Sequence, residues 1–306
     1  MNYYHLPLIQ EICSMKSGFV ALLGRPNVGK STLLNAILNK KISIISPKPQ
    51  TTRNNIMGVY NDDDSQIVFV DTPGVHKPYF RLGEFMNKQA LSSVRDVEAI
   101  ILLVDSSLPF GEGDQYLVDH IKSDAPVFVV FNKIDLTNIL LITELKNKYR
   151  ELFPNSEFIE ISAINNVNIE EIIEKIKNIL EEGPQYFPRE QVTDKDDQFV
   201  ISEIIREKIL LLTKQEIPHS VAVIVEKMET KKDKIDIYAT IVVERDSQKG
   251  IIIGKGGKMI KRIGTLARKD IEQYLNARVN LATFVRVEEE WRNSARCLKE
   301  FGYNDK

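Results

Sequence analysis

Phe19-Val-Ala-Leu-Leu-Gly24-Arg-Pro-Asn-Val-Gly29-Lys30-Ser31-Thr32 runs from an apolar stretch through a glycine-flanked loop into the helical periodicity of Ser31–Leu38. Gly24 to Ser31 fits G-x-x-x-x-G-K-[ST], and the match stands after a strand and before a helix, where that pattern has a physical use. Glycines let the backbone curl until successive N–H groups face one phosphate, and the helix N-terminus adds its partial positive charge. Lys30 supplies a point charge for the β- and γ-phosphate oxygens, and the Ser31 hydroxyl suits Mg2+. The whole run Gly24, Arg25, Pro26, Asn27, Val28, Gly29, Lys30, Ser31 and Thr32 therefore reads as a nucleotide-phosphate site.

Around it, up to about Glu182, short apolar runs alternate with amphipathic stretches. Gly18–Gly24, Gln66–Asp71, Glu98–Asp105, Pro126–Asn132 and Phe158–Ser162 read as strands, most of them too apolar to have a wet face. Helical periods lie between them at Ser31–Leu38, Gly83–Val94, Gly113–Ile121, Thr143–Leu152 and Ile169–Leu180. That alternation predicts an α/β three-layer sandwich around a mostly parallel sheet. Ligands of such sheets sit at the C-terminal ends of the strands, where the chemistry-bearing residues of this chain also fall.

Length and composition agree. The chain has 306 residues, a soft prior of about two domains, and its 43% hydrophobic against 27% charged residues excludes wholesale disorder. A net charge of −2 excludes a uniformly cationic coat. Cys13 and Cys297 lie far apart and outside any CxxC pattern, which excludes a disulfide scaffold or zinc ribbon and suits a reducing cytoplasm. No secretory leader is expected from the first residues, and the apolar runs are far shorter than the ~20 residues a membrane helix needs.

A phosphate loop alone does not separate ATP from GTP. Asn132-Lys133-Ile134-Asp135 closes the strand Pro126–Asn132, and a carboxylate there accepts two hydrogen bonds, from guanine N1–H and the 2-amino group. Adenine would leave Asp135 desolvated and unpaired; sites of this kind discriminate by ~10⁴–10⁵, roughly 5.5–7 kcal/mol. Lys133 would lay its stem along the base, Asn132 would pin the loop, and Ser162, Ala163 and Ile164 close the next strand where an N–H can meet guanine O6. Asp71-Thr72-Pro73-Gly74 ends another strand, with Asp71 placed to hold Mg2+ and the Gly74 N–H to sense the γ-phosphate. The polar, proline-flanked run Pro47–Arg53 is a candidate ordered-to-disordered switch whose hydroxyl completes the Mg2+ shell.

These segments resemble the motif set of the TRAFAC GTPases. Pro49-Gln-Thr-Thr-Arg-Asn-Asn-Ile-Met-Gly58 with Asp71-Thr-Pro-Gly-Val-His-Lys-Pro78 is similar, within that class, to the TrmE-Era-EngA-like branch and its ribosome-assembly members; the likeness runs from about Phe19 to Tyr303. The resemblance implies Mg2+-dependent hydrolysis of GTP to GDP, with Lys30, Thr52, Asp71, Gly74 and Asn27 as the catalytic set and Ser31, Thr52 and Asp71 as the metal set. Thr51 is the second choice for the switch hydroxyl. Val75 stands where many signalling GTPases carry a water-orienting glutamine, so slow unaided turnover is expected, with a K+ ion at Asn27 as the implied substitute. His76 is expected to be a mobile switch side chain rather than a general base.

Glu182–Gln198, with two prolines and no periodicity, reads as a linker. After it come an amphipathic helix at Phe199–Thr213, a β pair at Ser220–Glu229 and Lys234–Glu244, helices at Lys258–Ile263 and Leu266–Leu275, and a strand near Val279–Glu288. The divisions expected are 17–182 for nucleotide binding, 183–198 for the linker, 199–290 for an α+β domain and 291–306 for a tail. Gly254-Lys255-Gly256-Gly257 is a GxxG loop opening a helix, with Lys258, Lys261 and Arg262 following it. Between Arg245 and Arg278, nine Lys and Arg stand against Asp246, Asp270 and Glu272. Together these resemble a type II KH domain for single-stranded RNA. Phe199, Phe284 and Trp291 read as packing residues, and Ile251–Ile253 as a buried helix face, of which Ile252 and Ile253 also border the groove.

The resemblance implies a partner in the 30S ribosomal subunit and the 3′ region of its 16S rRNA. It also implies a monomer in the cytoplasm with peripheral contact at the inner face of the cell membrane. The rival expectation is an RNA-binding P-loop NTPase coupled to another RNA-processing or modification step.

Overall fold

A computed structural model describes residues 15–48, 50–213, 217 and 219–303; Cys13 lies outside them. In chain order the first half runs β1 Met15–Gly24, α1 Lys30–Leu38, β2 Ile56–Asn61, β3 Ser65–Asp71, α2 Arg81–Ser92, β4 Ala99–Asp105, α3 Glu112–His120, β5 Val127–Asn132, α4 Ile139–Leu152, β6 Glu157–Glu160 and α5 Ile169–Ile179. Along the order β2-β3-β1-β4-β5-β6 every pairing is parallel except β2 with β3.

Alternation along the strands divides the core into two layers. Val20, Leu22, Ile67, Phe69 and Ile101 pack with Leu33 and Leu34 of α1 and with α5. Ala21, Leu23, Ile100, Leu102 and Val104 pack on the opposite face with Ala90 of α2, Leu117 of α3 and Leu145 and Tyr149 of α4. Both faces are covered, so β3 is buried along its whole length and carries no polar alternation. Ile169, Ile172, Ile173 and Ile176 form the buried stripe of α5. Those four side chains contribute roughly 6–12 kcal/mol of gross burial energy. β2 escapes the sequence reading because it follows a polar run and carries Gly58, which lies against Leu34, Leu38 and Ile42 where a side chain would not fit.

The segment read as a linker is docked. Its first residues form β7 Glu182–Gly183, antiparallel to the start of β1. Gln66, fully buried, donates to Asn61 Oδ1 and to Phe187 O at 2.8 Å each. Its own oxygen accepts from Tyr186 N at 2.7 Å and Phe187 N at 2.9 Å. Val59 N donates to Val192 O at 3.0 Å, and Gly58 bridges to Thr193. Gln66 and backbone pairing with β1 and β2 together fix a stretch whose composition reads as loose.

The second half runs α6 Asp197–Leu212, β8 Ala222–Thr230, β9 Ile235–Val243, α7 Asp246–Ile253, α8 Lys258–Leu275, β10 Val279–Val287 and α9 Ala295–Glu300. Its sheet has the order β10-β9-β8, with β10 parallel and β8 antiparallel to β9. The helix pair differs from expectation: Lys258–Leu275 is one helix, and its partner is the earlier α7. Gly264 does not break α8; it costs helix propensity of about 1 kcal/mol, and an added Cβ there meets nothing within 4 Å. Ile252 is buried in the core, but Ile251 is 40% exposed. Phe284, expected to pack, is 58% exposed on the edge strand β10. The tail also packs: Trp291, Cys297, Leu298 and Tyr303 join Leu82 and Met86 of α2 and Ala222 and Val242 in one apolar cluster.

Gln66→Leu should leave the amides of Tyr186 and Phe187 and the Phe187 carbonyl without their partner. We expect a loss of about 2–4 kcal/mol in urea unfolding and faster tryptic cleavage at Arg189, both read on the full-length protein.

Candidate nucleotide and RNA sites

At the C-terminal ends of β1 and β3, the sheet delivers its polar residues to one cleft. Lys30 opens α1, is buried, and donates 3.0 Å bonds to the Gly24 and Arg25 carbonyls, which hold its ammonium inside the loop. Burial pushes its pKa down to about 8 against the opposing pull of Asp71. Ser31 Oγ donates to Asp71 Oδ2 at 2.7 Å and lies 2.8 Å from Thr52 Oγ1. Ser43 Oγ, which no motif marks, donates to the same Asp71 oxygen at 2.9 Å. Asp71 Oδ1 is buried with no hydrogen-bond partner among the described residues. Burial raises the Asp71 pKa, opposed by the Lys30 charge and the Ser31, Ser43 and Thr52 hydroxyls. A hard cation with oxygen ligands answers that orphaned oxygen, so Ser31, Thr52 and Asp71 fit Mg2+.

Of the two threonines, Thr52 faces this cluster while Thr51 Oγ1 donates to Lys48 O at 2.6 Å. Thr32, Pro26, Asn27, Gly29, Thr51 and Gly74 line the same cleft. Gly74 lies so close to the phosphate loop that a Cβ would come within 2.6 Å of the Pro26 nitrogen. Thr72 Oγ1 donates to Leu22 O at 2.6 Å, tying the end of β3, with Pro73 after it, to β1. Arg25 pairs with Asp114 at 2.5 Å, and Asn27 Nδ2 donates to Pro47 O at 3.1 Å, joining phosphate loop to switch. Val75 is buried at 1% exposure, as apolar chemistry dictates. His76 Nδ1 lies 2.8 Å from Gly74 O, and its Nε2 lies 2.9 Å from Gln50 Nε2.

The base end is assembled from the ends of β5 and β6. Asn132 Nδ2 donates to Val28 O at 2.8 Å and its oxygen accepts from Ala163 N at 3.0 Å, so one side chain locks three loops. Ser162 Oγ donates to Asp135 Oδ1 at 2.5 Å, orienting the carboxylate. Lys133 takes a left-handed backbone, φ 66°, and pairs with Asp105 at 2.5 Å. Asp105 ends β4, and its position at a strand terminus was the available signal. Ile164 is 74% exposed at the loop's rim.

In the second half the glycine loop projects between α7 and α8. Gly254, Gly256 and Gly257 all have positive φ, 70°, 61° and 74°. A Cβ on Gly256 or Gly257 would meet no protein atom within 4 Å, so the open side is free for another backbone. Lys255, Lys258, Lys261 and Arg262 are exposed beside it. A groove continues between α8 and β10, lined by Ile260, Lys261, Gly264, Thr265, Arg268, Asn280, Leu281 and Thr283. Thr265, Arg268, Asn280 and Thr283 were not legible as site residues, because α8 and β10 meet only after folding.

Comparison with known proteins matches both halves of the chain. The family model described as 50S ribosome-binding GTPase matches residues 19–133, and the KH domain model matches residues 216–292. Among solved structures, Era in complex with MgGDPNP and nucleotides 1506–1542 of 16S ribosomal RNA is 37% identical, covering 94% of this chain and 99% of its own, with a TM-score of 0.91. A point variant of Era from Aquifex aeolicus bound to GDP and aluminium fluoride is likewise 37% identical over 94% of this chain and 99% of its own, TM-score 0.90.

Replacing the Asp135 carboxylate with an amide sets a donor against the guanine 2-amino group and suits the 2-oxo group of xanthine. Asp135→Asn should move preference from GTP to XTP in a competition titration; wild-type GTP affinity in this variant would misplace the base.

Proposed function

This chain belongs to the Era family of GTPases, and we propose that it is a GTP-hydrolysing switch that binds the 3′ region of 16S rRNA through its KH domain during assembly of the 30S ribosomal subunit. One observation carries the reading. The Ser31–Thr52–Asp71 cluster, with its orphaned buried oxygen, shares one chain with a guanine-selecting carboxylate and an open glycine loop on a basic helix.

In this reading Ser31, Thr52 and Asp71 hold Mg2+, which when bound neutralises charge on the phosphate oxygens. Lys30 adds its ammonium to the same oxygens, and the Gly74 N–H contacts the γ-phosphate. Asp135 holds guanine, oriented by Ser162. Asn27, its amide nitrogen engaged by Pro47 O, keeps an oxygen to offer K+ in place of the glutamine that Val75 displaces. The protein is then a cytoplasmic monomer with peripheral contact at the inner face of the cell membrane. No described helix is long and apolar enough to cross that membrane.

Two experiments test it. GTP turnover should be faster in potassium than in sodium at equal ionic strength, and Asn27→Ala should abolish the difference while GDP binding persists; equal rates in the two salts remove the potassium assignment. Separately, Lys255→Asp combined with Gly256→Asp sets two carboxylates against RNA phosphates. Affinity for a fluorescent 3′ fragment of 16S rRNA should collapse, and its wild-type salt dependence should fall by ~0.7 in log–log slope per phosphate contact. Both residues lie in the open, so GTP affinity should stay within about threefold. Unchanged RNA affinity would sink the KH assignment.

A further inference from the structure

Arg53 follows the switch hydroxyl Thr52 by one residue, yet its guanidinium is buried among residues of the C-terminal half. It donates to Val221 O at 2.7 Å, to Tyr303 Oη at 3.3 Å and to His219 O at 3.4 Å. The Trp291 and Tyr303 ring centroids lie 5.6 and 5.8 Å from the guanidinium carbon. Those two rings stack on each other at 5.9 Å and 19°, and Trp291 Nε1 donates to Ser220 O at 2.8 Å. On the other side of Thr52, the Thr51 carbonyl accepts a hydrogen bond from Arg206 of α6, a buried guanidinium held by Glu203. Next along α6, Glu207 accepts from Ile45 N at 3.1 Å and pairs with Lys41 at 2.7 Å. Thr52 is therefore suspended between two arginine anchors, and both anchors end in the C-terminal half.

A loop hydroxyl that serves a cation must be ordered each time the cation is bound, and an anchor on either side does that ordering in advance. We infer that Arg53 and Arg206 are positioning residues for GTP hydrolysis: they hold Thr52 at the metal end of the cleft from the KH side, so the C-terminal half completes the GTPase site in cis. This rests on the GTPase reading above and extends it to Arg206, outside every nucleotide motif, and to Arg53, the last residue of the switch run. Its corollary is that a change at Thr52 is transmitted along Arg53 to the Trp291–Tyr303 cage. Trp291 is the one tryptophan of the chain, so the cage carries its own reporter.

The experiment uses the full-length protein. Trp291 emission is recorded with Mg2+ and either GDP or a non-hydrolysable GTP analogue, and the two states should differ reproducibly. Arg53→Lys keeps a charge but loses the planar fork that reaches Val221, Tyr303 and the rings. In this variant kcat should fall about tenfold or more while GDP affinity stays within about threefold, and the emission difference should vanish. Identical wild-type emission in the two states would overturn the proposal, and that measurement stands even if the variant fails to fold. Unchanged kcat in a folded variant would overturn it too. A parallel loss of GDP affinity and kcat would also overturn it, by marking Arg53 as structural. A wild-type chain that bound neither nucleotide would bring down the GTPase reading and this proposal with it.

Discussion

The buried carboxylate of Asp71 is the constraint around which the nucleotide half is arranged. A carboxylate removed from water is costly unless charge and hydrogen bonds compensate it. Here compensation comes from four groups on three segments: the ammonium of Lys30 and the hydroxyl of Ser31 at the start of α1, the hydroxyl of Ser43 and, through Ser31, the switch residue Thr52. One oxygen has no hydrogen-bond partner among the described residues. In the proposed reading, that oxygen is where a divalent ion would bind. The parallel sheet exists to bring β1 and β3 to that point together, and the phosphate loop folds over it.

Much of this was legible because the chemistry is contiguous in the chain. Gly24–Ser31, Asp71–Gly74, Asn132–Asp135 and Gly254–Gly257 each present their residue types within eight positions or fewer, and each sits where a strand or turn hands over to the next element. Fully apolar strands announced a sheet covered on both faces. What escaped has the opposite character. Ser43 reaches Asp71 from a loop with no motif. Gln66 holds residues more than a hundred positions away, so the segment it fixes reads as loose by composition. α8 reads as two helices because glycine weakens propensity, and burial of Ile263, Ala267 and Ile271 overrides that weakness. Arg53 looks like one more charge in a polar run until Trp291 and Tyr303 arrive from the far end of the chain.

The two halves also differ in how they treat charge. In the nucleotide cleft, Lys30 and Asp71 are buried and matched to each other, and the exposed Asp135 is oriented by Ser162. On α8 the cations are exposed and adjacent, which suits a polyanion that is recognised by its backbone and admits some choice of base. The interface between them is neither: Leu82, Met86, Trp291 and Leu298 form an apolar contact, and buried arginines thread through it.

The docked connector has a consequence for β2. That strand is the outer edge of the large sheet, and an uncovered edge presents a row of free amides and carbonyls to any passing chain. Val192 and Thr193 occupy part of that row, and Asp194 accepts from Met57 N at 2.8 Å. The connector is therefore also a guard on the sheet's margin. A nucleotide-binding half cut away just after α5 would lose this guard together with the α6 anchor of the Thr52 loop, and would carry a sticky border prone to strand-to-strand self-association at the concentrations used to study it.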